Sequence, residues 1–196
     1  MARYIGPIQK KLRSLGLDRF GAYNERKKVS TTFSRKRVSE YGLQLIEKQK
    51  AKFLYGVLER QFSNYYKKAS KISGSTGENL IVLLEKRLDN VLYRAGLFST
   101  RKQSRQAVNH GHFLVNDKKV NIPSYQVKSG DKVSWTEKSQ KSKLFELALN
   151  TSKDIPSASW IQLEQSKIGL TIINEPSSAD GELVIDTRQI VEFYSR

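Results

Sequence analysis

No cysteine occurs in the 196 residues. That excludes disulfides, thiolate nucleophiles and cysteine zinc knuckles together, and it fits a reducing compartment. Histidine is nearly absent: His110 and His112 are the only two. Spaced i, i+2 with no third ligand nearby, they make a poor metal site, so no metal or other cofactor is expected. No apolar run approaches the roughly 18 residues of a membrane span. The opening MARYIGPIQKKLR has no apolar signal-peptide core. The expectation is a soluble protein that stays where it is made, with no membrane and no small-molecule substrate as partner. Negative charge is scarce as well: 19 Asp and Glu stand against 35 Lys and Arg, a net charge of +16. The pI is about 10.0. Such an excess is far beyond what solubility needs, and it points to a polyanion.

The charge is uneven. Residues 1–86 carry +12 and residues 87–138 carry +6, whereas residues 139–196 carry −2. The polyanion should meet the first two-thirds, leaving the last third to fold on, or meet, other protein. In the first 40 residues Gly6, Pro7, Gly16 and Gly21 interrupt any period, and the runs ERKK and SRKR are unbalanced. Two readings stand: a disordered basic tail, or an extended segment ordered by RNA. Tyr4, Phe20, Tyr23 and Phe33 favour some packing. Helical spacing begins near Ser39. One helix is predicted over 41–55 and, after Gly56, a second with an apolar stripe at Leu58, Phe62, Tyr65, Tyr66, Ala69 and Ile72. Arg60, Asn64 and Lys67 lie opposite that stripe. ENLIVLLEKRLDNVLYRAG reads as a third helix capped by Gly96, with Arg87, Asn90 and Arg94 stacked on one face.

Then comes STRKQSRQAVNHGHFLVNDKKV, residues 99–120. Thr100 and Gln103 form a capping box, so a helix starts there, and Gly111 is a plausible stop. Ser104, Ala107 and Val108 can pack inward, leaving Arg101, Lys102, Arg105 and Gln106 outward. Phe113–Val115 reads as a strand, NDKK as a turn and 119–122 as the return strand; 125–127 and 132–135 add more short strands. The product is a small α-then-β unit with a row of guanidinium groups beside Lys118 and Lys119. Such a row suits phosphate backbone, because Arg binds phosphate bidentately and amides reach phosphate, sugar or base edges. A rigid basic platform with amides and a few aromatics fits folded RNA better than DNA. A solvated basic helix face is the alternative; it weakens once Arg87, Asn90 and Arg94 are counted with the row.

At RLDNVLYRAGLFSTRKQSRQAVNHGHFLVNDKKVNIPSYQVKSGDKV the chain resembles the S4-type RNA-binding domain. MARYIGP, YGLQLIEKQKAKFLYGVLERQFSNYYKKA, STGENLIVLLEKRLDNV and the closing IVEFYSR resemble the bacterial-type small-subunit ribosomal protein four family. The resemblance runs from residue 1 to 196 and is weakest over 10–33. Lacking cysteine, the chain resembles the zinc-free form. The resemblance implies direct binding to the 5′ domain of 16S-type ribosomal RNA and nucleation of the subunit body. It implies a place at the channel through which mRNA enters, beside small-subunit proteins three and five, and an influence on accuracy through protein five. Matching motifs implicate Arg3, Arg60, Asn64, Lys67, Arg87, Asn90, Arg94, Arg101, Lys102, Arg105, Gln106, His110, Lys118 and Lys119 in ribosomal RNA binding. They assign Arg35, Lys36 and Arg37 to mRNA. The implied location is the cytoplasmic ribosome, or that of an organelle encoding its own copy.

In the last third KSKLFELALN reads as a helix, and WIQLEQ and GLTIIN as strands. Asp186 and Gln189 form a capping box that opens a C-terminal helix, with Ile185 and Ile190 as a staple. The resemblance puts this end near protein five, which makes Arg188, Glu192 and Tyr194 interface candidates. The expected fold is α+β: an extended basic segment (1–40), a helical domain (41–86) completed by C-terminal strands and helix (151–196), and an inserted S4-type domain (87–150). No catalysis is expected. A pseudouridine synthase carrying the same module would need a separate catalytic domain, for which the basic helices before residue 87 and the 60 residues after 136 leave no room. A free RNA chaperone is a further alternative.

Overall fold

The computed structural model describes residues 4, 6–17, 38–164 and 169–195. The chain divides into two compact units, Met1–Asn64 with Leu183–Arg196, and Tyr65–Glu182. None of the described helices is long and apolar enough to cross a membrane.

The first unit is helical. Helix α1 spans Ile8–Ser14, so this part of the N-terminal segment is not extended as expected. Leu12, Leu15 and Leu17 are buried. Helix α2 (Glu40–Leu54) starts where the Ser39 hydroxyl accepts the Gly42 N–H at 3.2 Å, an N-cap that satisfies one of the orphan donors of the first turn. Gly56, at φ +62°, ends it, and α3 follows over Glu59–Ala69. The C-terminal helix α9 (Thr187–Ser195) runs antiparallel along α2. Tyr41 meets Phe193 at 5.6 Å, and the Gln44 amide donates to Glu192 at 3.1 Å. At the other end the Asp186 N–H donates to Glu47 at 3.2 Å. The Asp186 side chain caps α9 through the Arg188 N–H rather than that of Gln189.

The second unit joins helices to one sheet. Helix α4 covers Thr76–Glu85 and α5 covers Leu88–Arg94. Sequence periodicity runs these together, but the chain breaks at Lys86 and Arg87. Arg87 is extended (φ −70°, ψ 135°) and pairs with Gln126 as an isolated bridge. The Val127 N–H donates to the Lys86 carbonyl and the Leu88 N–H to the Tyr125 carbonyl, each at 2.9 Å. Two backbone bonds to a distant segment win over two more helical residues. Helix α6 (Arg101–Asn109) begins at the expected cap, where Thr100 Oγ1 accepts the Gln103 N–H.

Both α5 and α6 end in a Schellman motif. Gly96 and Gly111 have φ +75° and +70°, and the N–H groups of Leu97 and His112 reach back to Leu92 and Ala107. At Gly96 a Cβ would also strike the Ile155 carbonyl oxygen. Gly96→Ala is therefore expected to destabilise by more than about 2 kcal/mol, the αL cost of about 1–2 kcal/mol plus a backbone clash. A urea midpoint equal to the wild type's would refute this.

Strands β1 (Phe113–Val115) and β2 (Lys118–Val120) form a hairpin through a two-residue turn. Asn116 and Asp117 take φ of +48° and +63°, as a type I′ turn demands. The turn is tied down from outside: the Asn116 amide donates to Asp131 at 2.8 Å, and its oxygen accepts the Lys132 N–H at 2.9 Å. Strand β3 (Lys132–Trp135) pairs with β1. Beyond it lie α7 (Glu137–Gln140) and α8 (Lys143–Asp154), then β4 (Ile161–Glu164) and β5 (Gly169–Ile172). The sheet order is β2-β1-β3-β5-β4, every described pair antiparallel. The two C-terminal strands, expected on the helical domain, extend the central sheet instead, because β5 registers on β3 (Val133 opposite Leu170). Among the described residues a hydrophobic core in this unit gathers residues from Leu88 to Ile172. Trp135 lies at its centre, 4.5 Å from the Phe113 ring and 5.4 Å from Phe145. The architecture is α+β, as the sequence predicts.

Candidate nucleic-acid interface

On α3 the apolar stripe turns inward at Phe62, Tyr65 and Ala69, and Arg60, Asn64 and Lys67 are exposed on the other side. Lys68 and Lys71 are exposed beside them.

The arginines of the second unit behave differently. Arg87 is fully buried. Its Nε and one terminal nitrogen grip Asp89 at 2.9 and 2.6 Å, and the other donates to the Tyr65 hydroxyl at 3.1 Å. Burial alone would pull the guanidinium's pKa down; Asp89, then Tyr65, outweigh it and hold it above the ordinary arginine value. Asn90 is buried too, with its amide on the Glu85 carboxylate at 2.7 Å. Arg94 clasps the same carboxylate at 2.8 and 2.9 Å. Glu182 accepts from Arg101 at 2.5 Å and lies 3.3 Å from Arg94. Arg101 also donates to the Asn90 amide oxygen and lies 4.3 Å over the Tyr93 ring. Arg105 approaches Asp89 at 3.8 Å, and burial holds its pKa below the ordinary arginine value.

Arg87, Asn90 and Arg94 thus do not form the outward face that the sequence suggests. They belong, with Arg101 and Arg105, to an internal lattice of four guanidinium groups and three carboxylates. The physical reason is desolvation: a buried guanidinium needs a carboxylate and a full set of acceptors. Glu85, Asp89 and Glu182 supply them; the i, i+4 spacing of Glu85 and Asp89 beside Arg87 already suggests ion pairing in the sequence, whereas nothing there marks Glu182.

The exposed remainder is narrower. Along α6, Lys102, Gln106 and His110 are exposed at four-residue steps, which places them on one side of the helix. Lys118 and Lys119 are exposed on β2. The Lys119 stem crosses the αL turn at Gly111, so that a Cβ on Gly111 would lie 2.7 Å from Lys119 Cε. Both histidines are noted in the sequence, and only His110 is put among the RNA-binding candidates. The His112 ring lies 5.9 Å from that of His110, with Nδ1 2.8 Å from the Ser139 hydroxyl.

Among the described residues no group of three or more His, Cys, Asp or Glu is placed to hold a metal. Of the interface candidates on α9, Arg188 is exposed, while Glu192 accepts from Gln44. The Tyr194 hydroxyl donates to Glu59 at 3.1 Å. Glu59 also holds Lys48 and Lys52 at 3.0 and 2.6 Å. Burial raises its pKa, but those two lysines outweigh it and bring the carboxyl below its usual value. Arg3, Arg35, Lys36 and Arg37 lie outside the described residues.

Comparison with known proteins gives this surface its context. The family described as Ribosomal protein S4/S9 N-terminal domain matches residues 3–85, and the S4 domain matches residues 86–133. The protein named small ribosomal subunit protein uS4 from Rhodococcus erythropolis is 47% identical over the full length of both chains. Those of Corynebacterium glutamicum and Nocardia farcinica are 46% identical, again from end to end. With its helical N-terminal part, its S4 domain and this end-to-end similarity, the chain belongs to the small ribosomal subunit protein uS4 family, a family of structural RNA-binding proteins and not of enzymes.

Proposed function

We propose that this chain binds the 5′ domain of 16S-type ribosomal RNA and nucleates assembly of the small-subunit body. The observation that carries the reading is the pair of exposed cationic faces, Arg60, Asn64 and Lys67 on α3 and Lys102, Gln106 and His110 with Lys118 and Lys119 in the second unit. They occur in a chain similar throughout to ribosomal relatives. The mechanism is binding alone. Lys and Arg neutralise backbone phosphates and release counterions, while Asn and Gln amides reach sugar or base edges. In this reading the arginine lattice sets the angle between α5 and α6 and so fixes the spacing of the exposed groups. Arg3 adds to the ribosomal RNA contacts. Arg35, Lys36 and Arg37 line the channel through which mRNA enters. Arg188, with Glu192 and Tyr194 on the same helix, lies towards small-subunit protein five and bears on accuracy; protein three is the other neighbour. The working place is the cytoplasmic ribosome or that of an organelle encoding its own copy.

A titration of the purified protein against the 5′-domain RNA fragment, at several salt concentrations with excess tRNA, tests this. Tight binding should survive the tRNA. For the Arg60→Ala, Lys67→Ala variant the slope of log K against log[salt] should become shallower by about 0.7–0.9 for each phosphate no longer neutralised. Binding abolished by tRNA would reduce the charge to a non-specific footprint and refute the proposal.

A further inference from the structure

Most guanidinium charge in the second unit is met by carboxylate; one corner is not. His110 ends α6, His112 leads into β1 and Lys119 sits on β2. Three segments therefore bring three nitrogen bases together around the αL turn at Gly111, where the Lys119 stem lies 2.7 Å from the position of a Cβ and Nζ lies 3.4 Å from it. None of the three has an acidic partner among the described residues. The Ser139 hydroxyl takes His112 Nδ1, and the Thr136 hydroxyl holds Ser139 at 2.6 Å. Nε2, across the ring, is thereby left as the nitrogen for a ligand. On the inner side His112 faces the uncharged Trp135 ring at 6.3 Å. Among the described residues the titratable neighbours that act on it are His110 and Lys119; α7, which supplies Ser139, also carries Glu137 and Lys138, both exposed. Burial first, then His110 and Lys119, hold its pKa below the ordinary histidine value.

We propose that His110, His112 and Lys119 form a seat for one RNA backbone phosphate, and that His112 takes up a proton from solvent as the phosphate arrives. The proposal rests on the RNA-binding reading above. Lys119 contributes a fixed charge and His110 an exposed donor. Near neutral pH His112 is held towards its neutral form in the free protein, first by partial burial and then by its neighbours His110 and Lys119. A phosphate between the three reverses that balance, since an anion at hydrogen-bond distance favours imidazolium. Binding is then linked to protonation, and RNA affinity rises as pH falls through the histidine range.

The test is calorimetric titration of the full chain with the 5′-domain RNA fragment, in two buffers of different ionisation heat. Net proton uptake is expected, and affinity should increase about three- to tenfold from about pH 7.5 to about pH 6. The His110→Gln, His112→Asn double variant should bind at the higher pH but lose the increase. Lys119→Met should weaken binding at both pH values, with a salt slope shallower by about 0.7–0.9. Because His112 also anchors Ser139, NMR of the wild-type imidazoles provides a readout free of substitution: the His112 ring should become protonated when RNA is added at neutral pH. If the wild type binds RNA tightly with no proton uptake, or the double variant keeps the pH response, the phosphate seat is wrong and the RNA-binding reading stands. If the wild type fails to bind the fragment at any pH, both fall together.

Discussion

Arg87→Ala is expected to destabilise the second unit by about 3–5 kcal/mol, the cost of breaking a buried ion pair by removing one partner. The cost exceeds the worth of the ion pair itself because of what stays behind. Asp89 is almost fully buried, and Arg105 reaches it only at 3.8 Å. The Tyr65 hydroxyl loses its donor as well. Arg87→Lys does not restore the site, since an ammonium cannot reproduce the fork on both Asp89 oxygens. Arg87→Met with Asp89→Asn is the informative control: it removes both charges and should recover a large part of the loss. Urea denaturation of the four proteins decides the matter. A single variant within about 1 kcal/mol of the wild type would mean that Asp89 finds other partners, which the lattice described above does not allow.

Trp135→Ala is expected to cost a similar amount, about 3–5 kcal/mol, for a different reason. Here nothing charged is stranded; a cavity opens at the centre of the core. The indole touches Phe113, Phe145 and Phe98, with centroids 4.5, 5.4 and 6.2 Å away. It comes from β3, the middle strand of the five. Its Nε1 has no protein hydrogen-bond partner, so Trp135→Phe loses volume without losing a hydrogen bond and should cost less than half as much. Equal losses in the two variants would refute the cavity account, since Phe keeps most of the ring volume that Ala removes.

Much of this is legible in the sequence, and the failures share one cause. Helix α6 is readable because its start and stop are local: Thr100 with Gln103, then Gly111. The hairpin is readable in outline, a strand at 113–115 followed by a polar turn, but the turn narrows from NDKK to Asn116 and Asp117, and the return strand is Lys118–Val120 rather than 119–122. The break at Arg87 is not, since it depends on a backbone pairing with Gln126, about 40 residues on, while the local run keeps a helical period. The sidedness of the arginines fails for the same reason. Glu182, which holds Arg101, is 81 residues away in the chain. Strands β4 and β5 are recognisable as strands, but their partner is not, because pairing with β3 is a long-range choice that no turn announces. In the candidate interface, charge marks the right elements but does not separate an RNA-facing cation from a scaffolding one. That separation depends on where carboxylates lie in space.

The sheet order bears on the time course of synthesis. Strands β1, β2 and β3 close within residues 113–135, while the neighbour of β3 on its other side arrives only with β5, ending at Ile172. At about 5–20 residues per second a nascent chain spends roughly 2–7 s with that edge of β3 unpaired. The edge strand carries Val133 and Trp135, the latter a core residue. During those seconds the growing chain offers an open, apolar strand edge of the kind that recruits chaperones or pairs wrongly with a neighbour.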